Sequence, residues 1–432
     1  MDRTLSRRVL LGALAAGTLA ACAPSGGPPP STQNENADGL TTDDGVKDVT
    51  FTSWSMNEAA SKAQLQELLD AYKSSAGVTI KTPSYPYNDY LKQVILQLQG
   101  GQVAGAVQLD VTWVASLGAM GKLADLAPLA KDVRYTEAGL KVGQYDGKQV
   151  GLPWTHGAIG LVGNSELIER AGITTEPETL EDFEAALTEL KGLGGGVVPY
   201  AAMTKVANLK DIVVWMWTFG SPVVEDGKIV VGDEPSVEAL TWYKGLYDKG
   251  LIGKDMDRFD ARALFGQGKV GLYDDAAPAR KFVSANATDP KIGEKLVAWK
   301  RPVLKAGDQP QAMAWGHVLA VVAGGEGEYA AGQFVKHLTS DADTAITYFK
   351  SAGYPPTTQQ ALENPTFTGD PFASSFVEKV TATSKSDPLW VYPQSAQLYE
   401  TLAKQVQAIL IGDATPKQGL ETAREAMQKL VG

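Results

Sequence analysis

A regular alternation of strand and helix patterns constrains the fold more than any other feature of this sequence. Residues 49–54, VTFTSW, alternate as a strand does, and apolar side chains from Leu65 to Tyr72 recur at the spacing of one helix face. Residues 77–81 then predict a second strand, residues 88–101 a second helix, and residues 109–114 a third strand. This strand–helix–strand–helix–strand order is typical of an α/β fold with a mostly parallel sheet and right-handed crossovers.

Aromatic residues follow the predicted strands where a ligand would bind. Parallel sheets bind ligands at the carboxyl ends of their strands. Trp54 closes the first strand, Tyr87 follows the second, and Trp113 closes the third. Asn88 is expected to cap the second helix. No phosphate-binding glycine loop occurs at these turns, so we predict no nucleotide and no other cofactor.

A second series of elements begins after residue 178, and the length exceeds one comfortable core, so we expect two lobes. Thr179 and Asp182 have the spacing of a helix capping box. Asp226-Gly227 predicts a hairpin turn, residues 234–250 a helix, and residues 269–273 a buried strand that leads into Asp274-Asp275.

The N-terminus has the pattern of an export signal. Three arginines precede an apolar stretch too short to be a comfortable membrane span, and Leu19-Ala20-Ala21-Cys22 matches a bacterial lipobox. We therefore predict a signal peptide over 1–22 with a lipidated Cys22 that anchors the exported chain to the outer face of the cytoplasmic membrane. The general secretory and twin-arginine routes both remain open. Residues 23–45 predict a disordered tether.

Charge and cysteine content exclude several classes of function. The full chain carries a net charge of −11, and removal of residues 1–21 takes away three arginines and one aspartate, which leaves −13. Nucleic acid is therefore not expected as a partner. Cys22 is the single cysteine, so the chain offers no disulfide within itself, no thiol nucleophile and no cysteine-based metal site. We predict no bound metal.

Five segments in a fixed order resemble one family. They are YDGKQVGLPW at 145–154, GNSEL leading to AGI at 163–173, FGQGKVGL at 265–272, FVKHLTS at 334–340 and GYPP at 353–356. The sequence from Val46 onward resembles the extracellular solute-binding proteins of ABC importers, in the sugar-binding branch that includes maltose- and glycerol-3-phosphate-binding proteins.

The resemblance implies a monomeric, two-lobe fold of the type II periplasmic-binding-protein kind, with the ligand cleft between the lobes. It implies three crossings, near His156, Gly316 and Tyr354. The first lobe would comprise 46–155 and 317–353, and the second 156–316 and 354–432. Gly157 and Gly160 would allow the first crossing to bend.

The predicted function is capture of an extracellular carbohydrate and its delivery to the transmembrane subunits of an ABC permease, without catalysis. Sugars need flat aromatic rings for their C–H faces and polar groups for their hydroxyls. Position at strand ends and at crossings, together with the resemblance, predicts a set of ligand-binding residues. They are Trp54, Asn57, Glu58, Tyr87, Trp113, Trp154, His156, Trp215, Asp275, Trp315, Gly316, Tyr354 and Trp390.

Two departures from the family and two alternatives belong with this prediction. Ala276, Ala277 and Pro278 stand where the family often has an aromatic residue. Gln108-Leu109-Asp110-Val111 stands where the family usually has Pro-Asp-Val, so Asp110 is expected to be structural. A phosphorylated polyol ligand would need cations in the cleft, for which Arg280-Lys281 is the best-placed pair. A secreted glycoside hydrolase would need two carboxylates across one bond, for which only Glu58 and Asp275 can be nominated.

Overall fold

The structure is a computed structural model that describes residues 39–285 and 287–432. Cys22, the signal peptide and most of the predicted tether lie outside the described residues. At the end of that tether, Leu40 is buried in a hydrophobic cluster with Phe334, so the ordered domain begins earlier than residue 46. No helix among the described residues is long and apolar enough to cross a membrane.

The described residues form strands that we number in chain order. They are β1 (Asp48–Thr52), β2 (Thr79–Lys81), β3 (Ala106–Asp110), β4 (Gln144–Tyr145), β5 (Lys148–Gln149), β6 (Leu152–Asn164), β7 (Val198–Ala201), β8 (Val224–Glu225), β9 (Lys228–Ile229), β10 (Val270–Asp275), β11 (Leu296–Trp299), β12 (Ala312–Val321) and β13 (Ser384–Lys385).

The helices are numbered in the same way. They are α1 (Lys62–Ala76), α2 (Tyr87–Gln99), α3 (Val114–Gly118), α4 (Ala127–Ala130), α5 (Glu137–Lys141), α6 (Ser165–Arg170), α7 (Leu180–Gly192), α8 (Ile212–Thr218), α9 (Glu234–Asp248), α10 (Arg258–Gly266), α11 (Ala279–Ser284), α12 (Glu328–Ser340), α13 (Ala342–Ala352), α14 (Gln359–Leu362), α15 (Pro365–Thr368), α16 (Pro371–Lys379), α17 (Ser395–Ile411) and α18 (Pro416–Val431).

One large sheet organises the described residues, in the order β2-β1-β3-β12-β6-β10-β7. The predicted parallel pairing is present at its two ends, where β1 pairs with β2 and β3, and β7 pairs with β10. The central strands β12 and β6 are antiparallel to each other and to their outer neighbours β3 and β10. We call the β1–β2–β3 end, with its helices, the first half, and the β7–β10–β11 end the second half.

The chain crosses between the halves within long strands. The beginning of β6 pairs with β12, and its end, from Gly160, pairs with β10 and β11. Gly157 and Gly160 lie inside this continuous 13-residue strand. A Cβ atom on Gly160 would lie 2.2 Å from Val380 Cγ1, so close packing accounts for glycine there.

The third crossing occurs later than the sequence predicts. Tyr354 belongs to the hydrophobic cluster of the first half, and the Thr357 hydroxyl donates to Pro153 O at 2.7 Å. Thr358 still forms a bridge with Tyr135 of the first half. Asp370 then pairs with Arg280 of the second half, so the change of half takes place between residues 358 and 370.

Local signals in the sequence had mixed outcomes. The Thr179–Asp182 capping box is present, and Asp226 and Gly227 have φ angles of 50° and 75°, as a two-residue hairpin turn requires. In contrast, Asn88 lies inside α2, whose N-cap is Pro86. Trp113 is not on the third strand, because β3 ends at Asp110 and a 3₁₀ turn follows it.

Candidate functional site

A cavity lies between the two halves, beside the central strands. Its volume, measured as the space open to the centre of a water molecule, is about 50 Å³. Its aromatic lining consists of Trp54, Tyr87, Phe259, Phe282, Trp315, Tyr354 and Trp390. Its charged lining consists of Glu58, Asp110, Lys210, Asp211, Arg258 and Arg262. We call this space the central cavity.

Strand ends and short turns position the first-half residues of the lining. A 3₁₀ turn over Trp54–Asn57 follows β1 and leads into Glu58. After β3, Asp110 caps the next 3₁₀ turn by accepting the Thr112 backbone N–H at 2.9 Å. The same carboxylate accepts the Tyr87 hydroxyl at 2.8 Å, so Asp110 has the expected structural role and also lines the cavity.

Helix α10 supplies two arginines from the second half. Arg258 and Arg262 are four residues apart, so their side chains leave the same face of the helix. Arg262 binds both oxygens of Asp275, at 2.7 and 2.8 Å, and its guanidinium carbon lies 3.9 Å from the Phe282 ring centroid. Arg258 forms an ion pair with Asp211. Carboxylates of the same half therefore hold both guanidinium groups in place.

Burial shifts the pKa of two side chains that line the cavity, Glu58 and His317. It raises the pKa of Glu58 to about 7, against the lowering effect of Arg262 across the cavity. Among the described residues, the Glu58 carboxylate makes long hydrogen-bond contacts, 3.4 Å to the Ser61 hydroxyl and 3.5 Å to the Tyr354 hydroxyl. Burial lowers the pKa of His317 to about 4, so this ring is neutral at physiological pH.

Several polar atoms of the lining have no protein partner. Among the described residues, Thr112 Oγ1, Asp211 Oδ1 and Trp390 Nε1 are buried without a hydrogen bond. Burying a polar atom without a partner costs free energy. Two of these atoms can accept a hydrogen bond and two can donate one, because the hydroxyl does both. This combination suits a solute with several hydroxyl or amide groups.

The structure brings together six of the residues predicted from the sequence. Trp54, Glu58, Tyr87, Trp315, Tyr354 and Trp390 all line the central cavity. The other predicted residues lie outside its lining; they are Asn57, Trp113, Trp154, His156, Trp215, Asp275 and Gly316.

The residues outside the lining have other surroundings. Trp154 is 5% exposed and stacks on Tyr348 with ring centroids 5.0 Å apart. Trp215 is buried beside Trp242, and Asp275 is fully buried behind Arg262. Trp113 packs against Tyr90.

Three more predicted residues also stand apart from the cavity. Asn57 is exposed and donates to the Ser84 hydroxyl. His156 and Gly316 are paired on β6 and β12. A Cβ atom on Gly316 would lie 2.5 Å from Thr155 O, so this glycine allows the two strands to approach.

Sequence analysis missed six charged and aromatic residues that the second half contributes. These are Lys210, Asp211, Arg258, Phe259, Arg262 and Phe282. Phe282 lies on α11, directly after the segment 276–278 in which the sequence lacks the family's aromatic residue, and supplies an aromatic ring to the lining. The four-residue spacing of Arg258 and Arg262 after the capping residue Asp257 was the available signal.

The cations proposed for a phosphorylated ligand are not in this lining. Arg280 instead pairs with Asp370.

The fold and the cavity define a two-lobe binding protein of the type II periplasmic-binding-protein class. Two solved structures share this fold. The GacH receptor of Streptomyces glaucescens, solved unliganded and with acarbose, has a TM-score of 0.81 at 23% identity and covers 89% of this chain and 98% of its own. Maltose-bound MalE3 of T. maritima has a TM-score of 0.78 at 19% identity and covers 89% and 99%.

The chain belongs to the bacterial extracellular solute-binding protein family, whose model matches residues 67–373. Among curated relatives, the diacetylchitobiose binding protein DasA of Streptomyces coelicolor is 25% identical over 313 residues, which are 69% of this chain and 71% of the relative. Lipoprotein LipO of Bacillus subtilis is 27% identical over 246 residues, 50% of this chain and 48% of the relative. The family and DasA are described as binding proteins rather than enzymes.

Proposed function

We propose that this protein captures a carbohydrate outside the cell and delivers it to an ABC permease. The observation that carries the proposal is the lining of the central cavity, where aromatic rings lie beside buried polar atoms that lack partners. Aromatic faces such as Trp315 would pack on the C–H faces of a sugar ring. Thr112, Asp211 and Trp390 would bind its hydroxyl or amide groups.

The names of related proteins support a sugar as the ligand. DasA is described as a diacetylchitobiose binding protein, and the two structural neighbours were solved with acarbose and with maltose. A phosphorylated polyol is the weaker candidate. Arg258 and Arg262 are each already paired with a carboxylate, so neither guanidinium is an unpaired cation for a phosphate.

The cavity would link ligand binding to the relative position of the halves. Glu58 and Asp110 come from the first half, and Arg262 and Asp211 from the second. A ligand that contacts both sides stabilises the closed arrangement by its differential affinity for that arrangement. The permease would then recognise the closed form.

The two carboxylates nominated for the hydrolase alternative do not meet in the cavity. Retaining and inverting glycosidases need two carboxyl groups that flank the scissile bond. Asp275 is fully buried and binds Arg262 through both oxygens, so it cannot reach a substrate beside Glu58. We propose that the protein performs no catalysis, and we expect no new reducing ends when it is incubated with oligosaccharides.

A thermal-shift screen followed by calorimetry tests the proposed function. The panel contains glucose, maltose, N-acetylglucosamine, diacetylchitobiose and their longer oligomers, with glycerol-3-phosphate as the competing class. We expect at least one sugar to raise the melting temperature and bind with a one-to-one stoichiometry, since a ligand at one hundred times its Kd adds about 2.7 kcal/mol of stability. Binding of glycerol-3-phosphate alone would contradict the proposal.

A further inference from the structure

Glu58 lies between the halves and leaves one of its two carboxyl oxygens for a ligand. It follows the 3₁₀ turn after β1 and lines the central cavity. The hydroxyls of Ser61 and Tyr354 donate to it over 3.4 and 3.5 Å, and both donate to Oε2. Among the described residues, none forms a hydrogen bond with Oε1. This oxygen is therefore available to a ligand in the cavity.

Arg262 faces Glu58 from the second half, but its charge is already compensated. Both oxygens of Asp275 accept hydrogen bonds from its guanidinium group, at 2.7 and 2.8 Å, and this group lies on the ring of Phe282. In the part of the chain that the structure describes, Glu58 forms no ion pair with Arg262 or with any other cation. An ionised Glu58 would therefore lack a close counter-charge.

The other charged residues of the cavity lining compensate one another. Arg258 forms an ion pair with Asp211. Lys210 acts on Asp110, whose pKa it lowers against the effect of burial. These four residues form two oppositely charged sets of neighbours, so they do not replace the missing counter-charge of Glu58.

Three further titratable groups in these surroundings are neutral. Burial raises the pKa of Tyr348 on α13 and of Tyr354 well above the usual value, so both keep their protons. His317 on β12 has a pKa of about 4 and is neutral as well. Burying an ionised carboxylate without a close counter-charge costs far more free energy than burying the neutral acid. The surroundings of Glu58 therefore favour its protonated form, in agreement with its pKa of about 7.

We propose that Glu58 binds the ligand in its protonated form and donates a hydrogen bond from Oε1–H to an acceptor oxygen of the ligand. This inference rests on the proposed function. A protonated carboxyl offers a donor, whereas a carboxylate offers only acceptors. Glu58 therefore selects a ring oxygen, a glycosidic oxygen or the carbonyl of an acetamido group, whereas a carboxylate would select hydroxyl donors.

This role fixes the sign of the pH dependence of binding. A ligand that binds only the protonated acid raises the pKa of Glu58 above its value in the free protein, so binding takes up a proton. Affinity is then constant below the pKa of the free protein and falls by up to about tenfold per pH unit above it, until the pKa of the complex is reached. A carboxylate that accepts hydrogen bonds from ligand hydroxyls would give the opposite sign.

Calorimetry with maltose, diacetylchitobiose and the other sugars of the panel, from about pH 5.5 to about pH 8.5, tests the inference in the full-length protein. Wild-type affinity should fall by about tenfold or more across this range. Glu58→Gln keeps an N–H donor and cannot ionise, so its affinity should stay within about threefold of the wild-type value at about pH 5.5 throughout. Glu58→Met has no donor and should bind about tenfold more weakly than wild type at about pH 5.5.

A matched control and a count of protons complete the experiment. Glu67 is exposed on α1 in the same half, so Glu67→Gln should keep the wild-type pH profile. Titrations in two buffers with different ionisation enthalpies measure the protons taken up on binding. We expect a larger uptake in wild type and in Glu67→Gln than in Glu58→Gln.

Two kinds of result would count against these expectations, and they differ in how far they reach. Wild-type affinity that is constant or rises with pH, or a Glu58→Gln protein that binds as weakly as Glu58→Met, would overturn the inference alone. Failure of every sugar of the panel to bind wild type at any pH would overturn the proposed function as well.

Discussion

Two tryptophans that pack on the same tyrosine have different surroundings. Trp315 and Trp154 both stack on Tyr354, with ring centroids 6.1 and 6.2 Å away. Trp315 is partly exposed and lines the central cavity, whereas Trp154 is buried against Phe51 and Tyr348. Trp315 should therefore contribute mainly to ligand binding, and Trp154 mainly to the stability of the fold.

Replacing each tryptophan with alanine measures this separation. Trp315→Ala should weaken sugar binding by about 1 to 4 kcal/mol with little loss of stability, because it removes a stacking surface. Trp154→Ala should cost about 3 to 5 kcal/mol in the free energy of unfolding, because it leaves a cavity in the core. Calorimetry and urea denaturation supply the two measurements. Equal loss of stability in both variants would contradict the assignment of Trp315 to the site.

Asp387 should make stability depend on pH. Burial raises the pKa of this side chain from 3.8 to about 6, against the lowering effects of the Leu389 backbone N–H, which one of its oxygens accepts, and of the Tyr399 hydroxyl. Between about pH 4 and 6 the folded protein keeps a proton that the unfolded chain releases, so stability is lost as the pH rises through this range.

The variant Asp387→Asn imitates the protonated form and should remove this dependence. Its free energy of unfolding minus that of wild type should increase by up to about 3 kcal/mol between pH 4 and pH 7, because wild type alone loses stability over this range. Chemical denaturation of both proteins across this range measures the difference. A difference that is constant with pH would show that Asp387 is not protonated in the folded state.

The sequence predicted residues of the cavity lining where local position was informative. Trp54, Glu58 and Tyr87 follow strands of a regular α/β pattern, and they line the cavity. Trp154 and Trp215 lie outside this lining, because strand ends and crossings also contain residues that pack in the core. Sequence analysis also missed Arg258 and Arg262, because only the packing of α10 against β10 brings this helix to the cleft.

At the scale of elements, β6 combines the roles of strand and crossing. Sequence patterns predicted the helices α1, α2, α7 and α9 and the strands β1, β2 and β10, because their hydrophobic periods are local. They did not predict that β6 and β12 form an antiparallel centre, because the partners are far apart in the chain. The glycines of β6 accordingly allow close packing, and bending of this strand remains a prediction.

Two substitutions in β6 distinguish these roles. Gly160→Ala should destabilise the protein by about 1 to 3 kcal/mol, because the new Cβ atom would overlap Val380. Gly157→Ala should be tolerated within about 1 kcal/mol, since the nearest atoms to its Cβ position are 3.9 and 4.0 Å away. Urea denaturation measures both, and Val380→Ala should rescue Gly160→Ala. Equal effects of the two substitutions would contradict the packing explanation.

At the scale of the whole molecule, the attachment of the chain to a membrane rests on Cys22. We propose lipidation at this residue from the lipobox, and the similarity to a lipoprotein of Bacillus subtilis is in agreement. In detergent partition, wild-type protein should enter the detergent phase, whereas Cys22→Ala should remain aqueous or unprocessed. Sugar binding should be the same in both, since the cavity lies within residues 54–390. Wild-type protein in the aqueous phase would contradict the anchor.

The position of β12 in the chain also has a consequence for folding during synthesis. The sheet of the first half is complete only when β12 pairs with β3, where His317 lies opposite Asp110. A nascent chain must therefore be synthesised almost to its last quarter before β3 can pair with β12. Such long-range pairing slows folding. For a member of an extracellular family, this delay would keep the polypeptide open to the secretion machinery until synthesis is nearly finished.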